Sequence, residues 1–246
     1  MPTNQQDLYK GKLEKPELVS YSHGRIRGQL IQTLSMSEQH TVELYPEFDN
    51  PDMAAAIHDT EGAESAFEWL SSEQHQIESA LMDTNPSSSP SMWDPGTVRP
   101  IDLLMHYRGL NSGNISAARL EMYGQVSSKT SSNDTKSASK NNLGLKFLKK
   151  RDIVNGDIQY TRFVKGTPAY PTADDVAFDT NGVGTFPSTL TPVQLAGGLS
   201  TVSVLYAKLN SVPSALFTNN TTQFTPTPTL VSGDTWEVYS VVVPHA

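Results

Sequence analysis

Apolar and polar residues alternate along many short stretches of this chain, and a period of two is typical of β-strands with one buried face. Gly, Pro, Asn and Asp separate the stretches, as expected for turns. The pattern predicts strands or extended segments over 24–35, 41–48, 98–108, 115–126, 143–150, 158–164, 200–209, 218–229 and 235–243. It therefore indicates a mainly β fold, a sandwich or barrel-like core with long loops.

One amphipathic α-helix is predicted over residues 66–82. Ser65 is placed to cap its first turn, and Glu68 follows at the capping-box spacing. The three-then-four spacing of one helical face is followed by Phe67, Leu70, Gln74, Ile77 and Leu81. We expect this helix to lay its apolar face against the sheet.

The segments without a strand pattern suggest how the chain is organised. Residues 1–20 are polar and interrupted by proline, which predicts an extended N-terminal arm before a single β domain over 21–246. A polar loop is expected over 127–142, where no apolar residue is larger than alanine. A long irregular loop is expected over 166–198. The Asn155-Gly156 pair predicts a tight hairpin turn between the strands on either side.

The amino-acid composition excludes several classes of protein. The 246 residues contain no cysteine, which excludes disulfides, thiolate metal sites and a cysteine nucleophile. No run of 18 apolar residues predicts a membrane span, and the N-terminal residues lack the apolar region of a secretory signal. We therefore expect that the protein is made in the cytoplasm and does not insert into a membrane.

Charge is distributed unevenly along the chain. Residues 1–90 hold 5 Lys and Arg against 15 Asp and Glu, residues 91–170 hold 12 against 6, and residues 171–246 hold 1 against 5. Segments of opposite charge suit copies that contact one another. They equally suit one molecule whose segments lie on different faces.

The sequence contains no motif that predicts catalysis. None of the 6 histidines has metal-ligand spacing, and the Gly182-Val183-Gly184 run lacks the third glycine of a dinucleotide fingerprint. An enzyme would require a pocket holding titratable groups with shifted pKa values. We expect no enzyme activity, no catalytic residue, no metal and no cofactor.

The order of features over residues 20–165 resembles the tail tube proteins of tailed bacteriophages. It runs through the strand TVELYPEF, the predicted helix SAFEWLSSEQHQIESALM, the strands IDLLMHY and ISAARLEMYGQV, the polar loop, and LGLKFLKKRDI followed by IQYTRF. The resemblance implies a tail-tube fold whose subunits form rings, usually hexameric. The rings stack into a virion tube, with other tail proteins as partners and DNA passing transiently through the lumen.

The resemblance also implies roles for particular residues. Acidic residues expected to line the lumen, where they would repel phosphate, are Glu43, Glu47 and Asp49. Residues expected to contact the next ring through the polar loop are Ser127, Lys129, Lys136 and Lys140. A basic cluster expected at a subunit interface consists of Lys146, Lys149, Lys150 and Arg151. The sequence also permits the opposite assignment of charge to lumen and interface.

Other functions remain open at this point. A capsid decoration protein, a head–tail connector or another tail protein would use a similar sandwich. A carbohydrate- or receptor-binding sandwich would place exposed tryptophans side by side, and the candidates are Trp69, Trp93 and Trp236. The basic cluster could bind nucleic acid, but its neighbouring aromatic residues follow strand alternation and the chain as a whole is acidic.

Overall fold

The computed structural model describes residues 12–13, 16–27, 31–39, 42–47, 50–58, 62–70, 99–108, 115–132, 140–154, 156–187, 204–220 and 222–242. The strands, numbered in chain order, are β1 (Lys12–Leu13), β2 (Glu17–Ser20), β3 (Gly24–Arg27), β4 (Ile31–Gln39), β5 (Val42–Glu47), β6 (Asn50–His58), β7 (Gly62–Leu70), β8 (Ile101–Arg108), β9 (Ile115–Ser132), β10 (Lys140–Phe147), β11 (Lys149–Val154), β12 (Asp157–Val164), β13 (Asp175–Ala177), β14 (Gly184–Thr185), β15 (Val204–Leu209), β16 (Val212–Pro213), β17 (Phe217–Asn219), β18 (Gln223–Pro226) and β19 (Thr235–Val242). Within these ranges, no helix is long and apolar enough to cross a membrane.

Two large sheets form the body of the molecule, which confirms a mainly β fold. The first has nine strands in the order β3-β2-β8-β9-β10-β7-β4, with β1 beside β8 and β11 beside β9. The second has five strands in the order β13-β12-β19-β15-β16. Two smaller sheets, β14-β18-β17 and β5-β6, complete the described strands.

The first sheet bends in the middle of its longest strand. Before the bend β9 pairs with β8 and β11, and after it β9 pairs with β10. Tyr123 has a φ of 63° at this point. A Cβ on Gly124 would lie 2.3 Å from Cε1 of Phe147 and 2.8 Å from the carbonyl oxygen of Ile101. Because no side chain fits there, glycine allows the sheet to turn under the Phe147 ring.

Three apolar cores account for the stacking of the layers. The bend folds the first sheet over a core of Leu18, Ile26, Ala63, Ile101, Leu103, Met105, Leu143, Leu145 and Phe147. The two large sheets face each other across Val19, Leu104, Ala118, Leu120, Met122, Ile158, Tyr160 and Tyr239. The far face of the second sheet is covered through Phe163, Phe178, Phe186, Ala207, Phe224, Trp236 and Val238. The second sheet is therefore buried on both faces, and all eight residues of β19 are buried.

The predicted helix over 66–82 is wrong for residues 66–70, which belong to β7. This strand pairs antiparallel with β4 on one side and β10 on the other. Ala63 and Ser65 are buried while Ala66 is exposed, so the segment alternates with a period of two. Pairing on both edges outweighs the helical spacing of its apolar residues. The remainder of the predicted helix lies outside the described residues.

The polar loop predicted over 127–142 is shorter than expected. Residues 127–132 continue β9 and residues 140–142 begin β10, with Lys140 opposite Ser132. Ladder hydrogen bonds hold this polar sequence extended without apolar burial. Residues 133–139 lie outside the described residues.

The hairpin predicted at Asn155-Gly156 is also wrong. The strands on either side, β11 and β12, pair with β9 and β19 respectively and belong to different sheets. Gly156 is buried, and a Cβ there would lie 2.9 Å from Cγ2 of Ile153. Gly156 therefore lies in a tight connection between the two large sheets and not in a hairpin turn.

Two other segments differ from expectation. The arm predicted over 1–20 includes β2, whose four residues are buried between β3 and β8. The loop predicted over 166–198 contributes Phe178 and Phe186 to the third core and contains β13 and β14. Residues 1–11 and 188–203 lie outside the described residues.

Candidate assembly surfaces and the inter-sheet ionic cluster

The outer half of the β9–β10 hairpin is the most polar strand pair with described side chains. We call residues 126–132 of β9 and 140–142 of β10 the hairpin end. Ser127, Ser128 and Thr130 are exposed, and Val126 and Lys129 are partly exposed, so both faces of this part of β9 meet solvent. Strands exposed on both faces gain little from core packing, which leaves this surface available to a partner.

The hairpin end brings together most of the residues predicted to contact another ring. Ser127 and Lys129 lie on β9, and Lys140 lies at the start of β10, where it faces Ser132. Lys136 lies outside the described residues. Their role in an interface remains a prediction.

The basic cluster lies along β10 and β11. Lys146 is exposed, opposite Glu64 of β7 and Gln125 of β9. Lys149 and Arg151 are exposed on β11, and Lys150 is partly exposed opposite Glu121. Leu148, between the two strands, is 62% exposed. All four predicted basic residues thus lie on two consecutive strands, β10 and β11, which both pair with β9.

The predicted lumen residues map to a separate hairpin. Glu43 and Glu47 belong to β5, which pairs with β6 as a two-stranded sheet. Asp49 lies outside the described residues. Whether this hairpin faces a lumen remains a prediction.

The bent half of the first sheet ends on two different strands. Among the described strands, β4 pairs only with β7, and β9 beyond Gln125 pairs only with β10. Such edges present backbone N–H and C=O groups that can pair with another chain.

Sequence reasoning missed a cluster of charged side chains between the two large sheets. We call Asp102 of β8, Lys208 of β15 and Glu237 of β19 the inter-sheet ionic cluster. Lys208 Nζ lies 2.6 Å from Asp102 Oδ2 and 3.2 Å from Glu237 Oε2. The three residues are 0–2% exposed. Lys208 and Glu237 are directly opposite on neighbouring strands, while Asp102 reaches them from the other sheet.

Tyrosines and one backbone group complete the polar contacts of the cluster. Tyr239 Oη donates to Asp102 Oδ2 at 2.7 Å, and the Tyr123 N–H donates to Asp102 Oδ1 at 2.9 Å. Tyr160 Oη donates to Glu237 Oε1 at 3.4 Å. Burial opposes the charge on Lys208, but the two carboxylates outweigh it and raise its pKa. Lys208 is therefore an ammonium group held between two carboxylates.

Two further ion pairs lie within the second sheet or at its contact with the first sheet. Arg162 of β12 is fully buried and donates from Nη1 to Asp175 Oδ1 at 2.6 Å. His106 Nδ1 lies 2.6 Å from Asp157 Oδ1, and its Nε2 lies 3.7 Å from Glu17 Oε2. Burial alone would lower the pKa of His106, but Asp157 and Glu17 raise it to about 9. His106 is therefore a cation at neutral pH.

One sequence signal pointed to the cluster. Lys208 is the only charged residue between Asp179 and Asp234, and it lies inside a predicted strand. Glu237 likewise follows a tryptophan within a strongly apolar strand. Charged residues in such positions are buried with a partner far more often than alone, but the identity of the partner depends on the fold.

The described residues provide no group of three or more His, Asp or Glu arranged to hold a metal ion. Trp236 is fully buried and cannot form an exposed aromatic platform. Trp93 lies outside the described residues, and Trp69 lies on β7.

Neither a family model nor a curated protein matches the chain. Several solved structures are similar to it. One is the SPP1 tail tube, at 12% identity over 62% of this chain and 80% of that chain, with a TM-score of 0.41. Another is the sheath–tube complex of PVC, an extracellular contractile injection system, at 9% identity over 63% and 99%, with a TM-score of 0.40. A third is the cap that terminates the anti-feeding prophage tube, at 8% identity over 57% and 88%, with a TM-score of 0.39.

Proposed function

We propose that this protein is a structural subunit of a phage-type tail tube, located in the virion tail, and that its copies form stacked rings through which DNA passes. The observation that carries the proposal is the pair of sheet edges described above. The bent sheet ends at β4 on one side and at β9 beyond Gln125 on the other. An edge of one copy can therefore continue the sheet of the next.

The two edges belong to different strands, so their pairing would be head-to-tail. Head-to-tail contacts close into a ring when the rotation between copies is a simple fraction of a turn. We infer a six-membered ring from the resemblance to tail tube proteins, with the joined sheets as its wall.

The hairpin end would contact the next ring. Ser127, Ser128 and Thr130 are exposed and Lys129 is partly exposed, which suits a polar, reversible contact between preformed rings. In this proposal the residues of that contact are Ser127, Lys129, Lys136 and Lys140. The basic cluster would meet an acidic surface of a neighbouring copy, since opposite charges favour association.

The acidic β5–β6 hairpin would line the lumen. Glu43, Glu47 and Asp49 would repel DNA phosphates and prevent the passing genome from adhering to the wall. Other tail proteins would start and end the tube.

The proposal is tested by removing the hairpin end without disturbing the core. Deletion of residues 129–140 should leave a folded subunit, because the described residues of this segment, 129–132 and 140, belong to none of the three cores. It should abolish polymerisation, because it removes the contact with the next ring and also shortens the free edge of β9. Sedimentation velocity and electron microscopy measure this loss. Tubes of normal length from this variant would refute the role of the hairpin end.

A second test addresses the strand edge itself. Successive N–H groups of a strand point to opposite edges. One of the two variants Lys129→Pro and Thr130→Pro therefore removes an N–H donor on the outer edge of β9. That variant should lose ring formation while it stays folded. Thr130→Ala provides the matched control, since it shortens the exposed Thr130 side chain, keeps the backbone N–H and should leave assembly unchanged. Equal assembly of all three variants would contradict edge pairing through β9.

A further inference from the structure

We propose that the Lys208 side chain condenses with the Asp102 side chain to form an intramolecular isopeptide bond that ties the two large sheets together, with Glu237 carrying the proton. The inference does not depend on the proposed function. Its basis is the inter-sheet ionic cluster, in which an amine, a carboxyl group and a second carboxylate meet in a site closed to solvent. Lys208 Nζ lies 2.6 Å from Asp102 Oδ2, and the side chains of the pair are 2% and 0% exposed.

The two carboxylate oxygens of Asp102 have different surroundings, which suits them to different roles in the reaction. Oδ1 accepts the backbone N–H of Tyr123 at 2.9 Å. Oδ2 accepts the Tyr239 hydroxyl at 2.7 Å and is the oxygen nearest Lys208. Oδ1 is therefore placed to remain the carbonyl oxygen, and Oδ2 to leave. A fixed N–H donor at Oδ1 would stabilise the negative charge that develops on that oxygen during attack.

The backbone at Tyr123 is held in an unusual conformation that aims this donor. Its φ of 63° lies in the left-handed region, which non-glycine residues rarely adopt. The residue stands at the bend of the first sheet, beside Gly124. The bend thus delivers a backbone N–H to Asp102 from β9 while Asp102 itself lies on β8.

Glu237 is placed to accept the proton that makes Lys208 a nucleophile. Its Oε2 lies 3.2 Å from Lys208 Nζ, at an angle that does not form a hydrogen bond. Tyr160 donates to the other oxygen, Oε1. Oε2 therefore keeps a lone pair for the proton of the ammonium group. A positioned carboxylate of this kind acts as a general base and then as a general acid.

The reaction balances without any other reactant. Glu237 takes one proton from the Lys208 ammonium, and the freed amine attacks Cγ of Asp102 to form the Nζ–Cγ bond. The Cγ–Oδ2 bond breaks, and the oxygen leaves as water after it receives the proton from Glu237 and a second proton from Nζ. An ammonium and a carboxylate become an amide and one water, nothing is oxidised or reduced, and Glu237 returns to its starting state.

Burial provides the driving force. Two charged groups kept out of water are poorly solvated, and a neutral amide removes both charges from the interior. The two sheets hold the reacting atoms at contact distance, so the side chains lose little further conformational entropy when they react. Glu237 lies beside the bond that forms. Asp102 and Lys208 are distant in sequence and lie on opposite sheets, so the bond would close a long loop across the sandwich.

The decisive measurement is the intact mass of the purified, folded wild-type protein, recorded after denaturation. We expect a mass lower than the sequence mass by one water. Digestion should yield a branched peptide that joins the segments around Lys208 and Asp102. The full sequence mass after prolonged incubation at neutral pH would overturn the proposal. A branched peptide that joins Lys208 to Glu237 instead would overturn the assignment of Asp102.

Substitutions separate the roles of the three residues. Glu237→Gln keeps the shape of the side chain but removes the base, and should slow formation of the bond at least about 100-fold. Asp102→Asn should lose ammonia instead of water and give the same product mass as the wild type. Lys208→Met should show the full mass, and a water loss that persists in this variant would contradict the proposal.

A matched control addresses the general effect of losing a buried carboxylate. Glu121 is also fully buried, but its carboxylate contacts Ser65 and Arg119. Glu121→Gln should retain the loss of one water. If Glu121→Gln and Glu237→Gln reduced the bond equally, with both proteins folded by circular dichroism, Glu237 would have no specific role.

Discussion

The space between the two large sheets and the hairpin end use polar residues in opposite ways. Between the sheets, Asp102, Lys208 and Glu237 are closed to solvent, and each has a partner within 3.2 Å. At the hairpin end, Ser127, Ser128 and Thr130 are exposed on a strand with polar residues on both faces. The first arrangement fixes how the two sheets meet, because buried charges tolerate only the geometry that pairs them. The second leaves strand surface for another molecule.

The comparison predicts that one change between the sheets outweighs any single change at the hairpin end. Lys208→Met should lower the free energy of unfolding by at least about 3–5 kcal/mol, because it leaves two buried carboxylates without a cation and also removes the proposed Lys208–Asp102 bond. Denaturant unfolding monitored by tryptophan fluorescence measures this, since Trp236 lies on the same strand as Glu237. A loss below about 1 kcal/mol would contradict a paired cluster, since that is the range of exposed pairs.

The pH dependence of stability should come in part from His106. Its pKa is about 9 in the folded protein, against an ordinary value of 6.5 for histidine. Because the folded value is the higher one, the stabilisation is complete below pH 6.5 and is lost as the pH rises through 9. The thermal midpoint should therefore fall over this interval. His106→Gln should flatten that fall, and an unchanged slope in the variant would show that other groups cause it.

An ion pair near the surface should contribute much less. Arg119 donates from Nε to Asp152 Oδ1 at 2.6 Å and from Nη2 to Oδ2 at 3.2 Å, but the Asp152 side chain is 46% exposed. Asp152→Asn should cost at most about 1 kcal/mol, and high salt should reduce the difference. A loss as large as that of Lys208→Met would mean that exposure does not separate the two kinds of pair.

The smallest effect on folding is expected at the hairpin end. Ser127→Ala removes a hydroxyl from an exposed residue and should change the free energy of unfolding by no more than about 0.5 kcal/mol. Urea unfolding of the monomer measures it. A cost above about 1 kcal/mol would indicate that the hairpin end is part of the folded core.

Several strands could be predicted from the sequence because their alternation is long and uninterrupted. β8, β15 and β19 lie within the predicted 98–108, 200–209 and 235–243. Residues 66–70 of β7 fall in the predicted helix 66–82 because their apolar residues also fit helical spacing, and only pairing with β4 and β10 decides between the two.

The pairing of strands and the inter-sheet ionic cluster depend on contacts distant in sequence. The Asn155-Gly156 turn signal is local, but β11 and β12 find partners in different sheets. Lys208 stood out as a lone charge in a neutral segment. Its partner Asp102 comes from the opposite sheet, and no local pattern identifies that partner.

Electron microscopy of the purified wild-type protein over a concentration series tests the proposed tail-tube role most directly. We expect hollow tubes or stacked rings whose number rises with concentration, since the subunit carries both edges needed for ring closure. A monodisperse monomer at the highest concentration, even after addition of preformed tube ends as seeds, would contradict self-assembly.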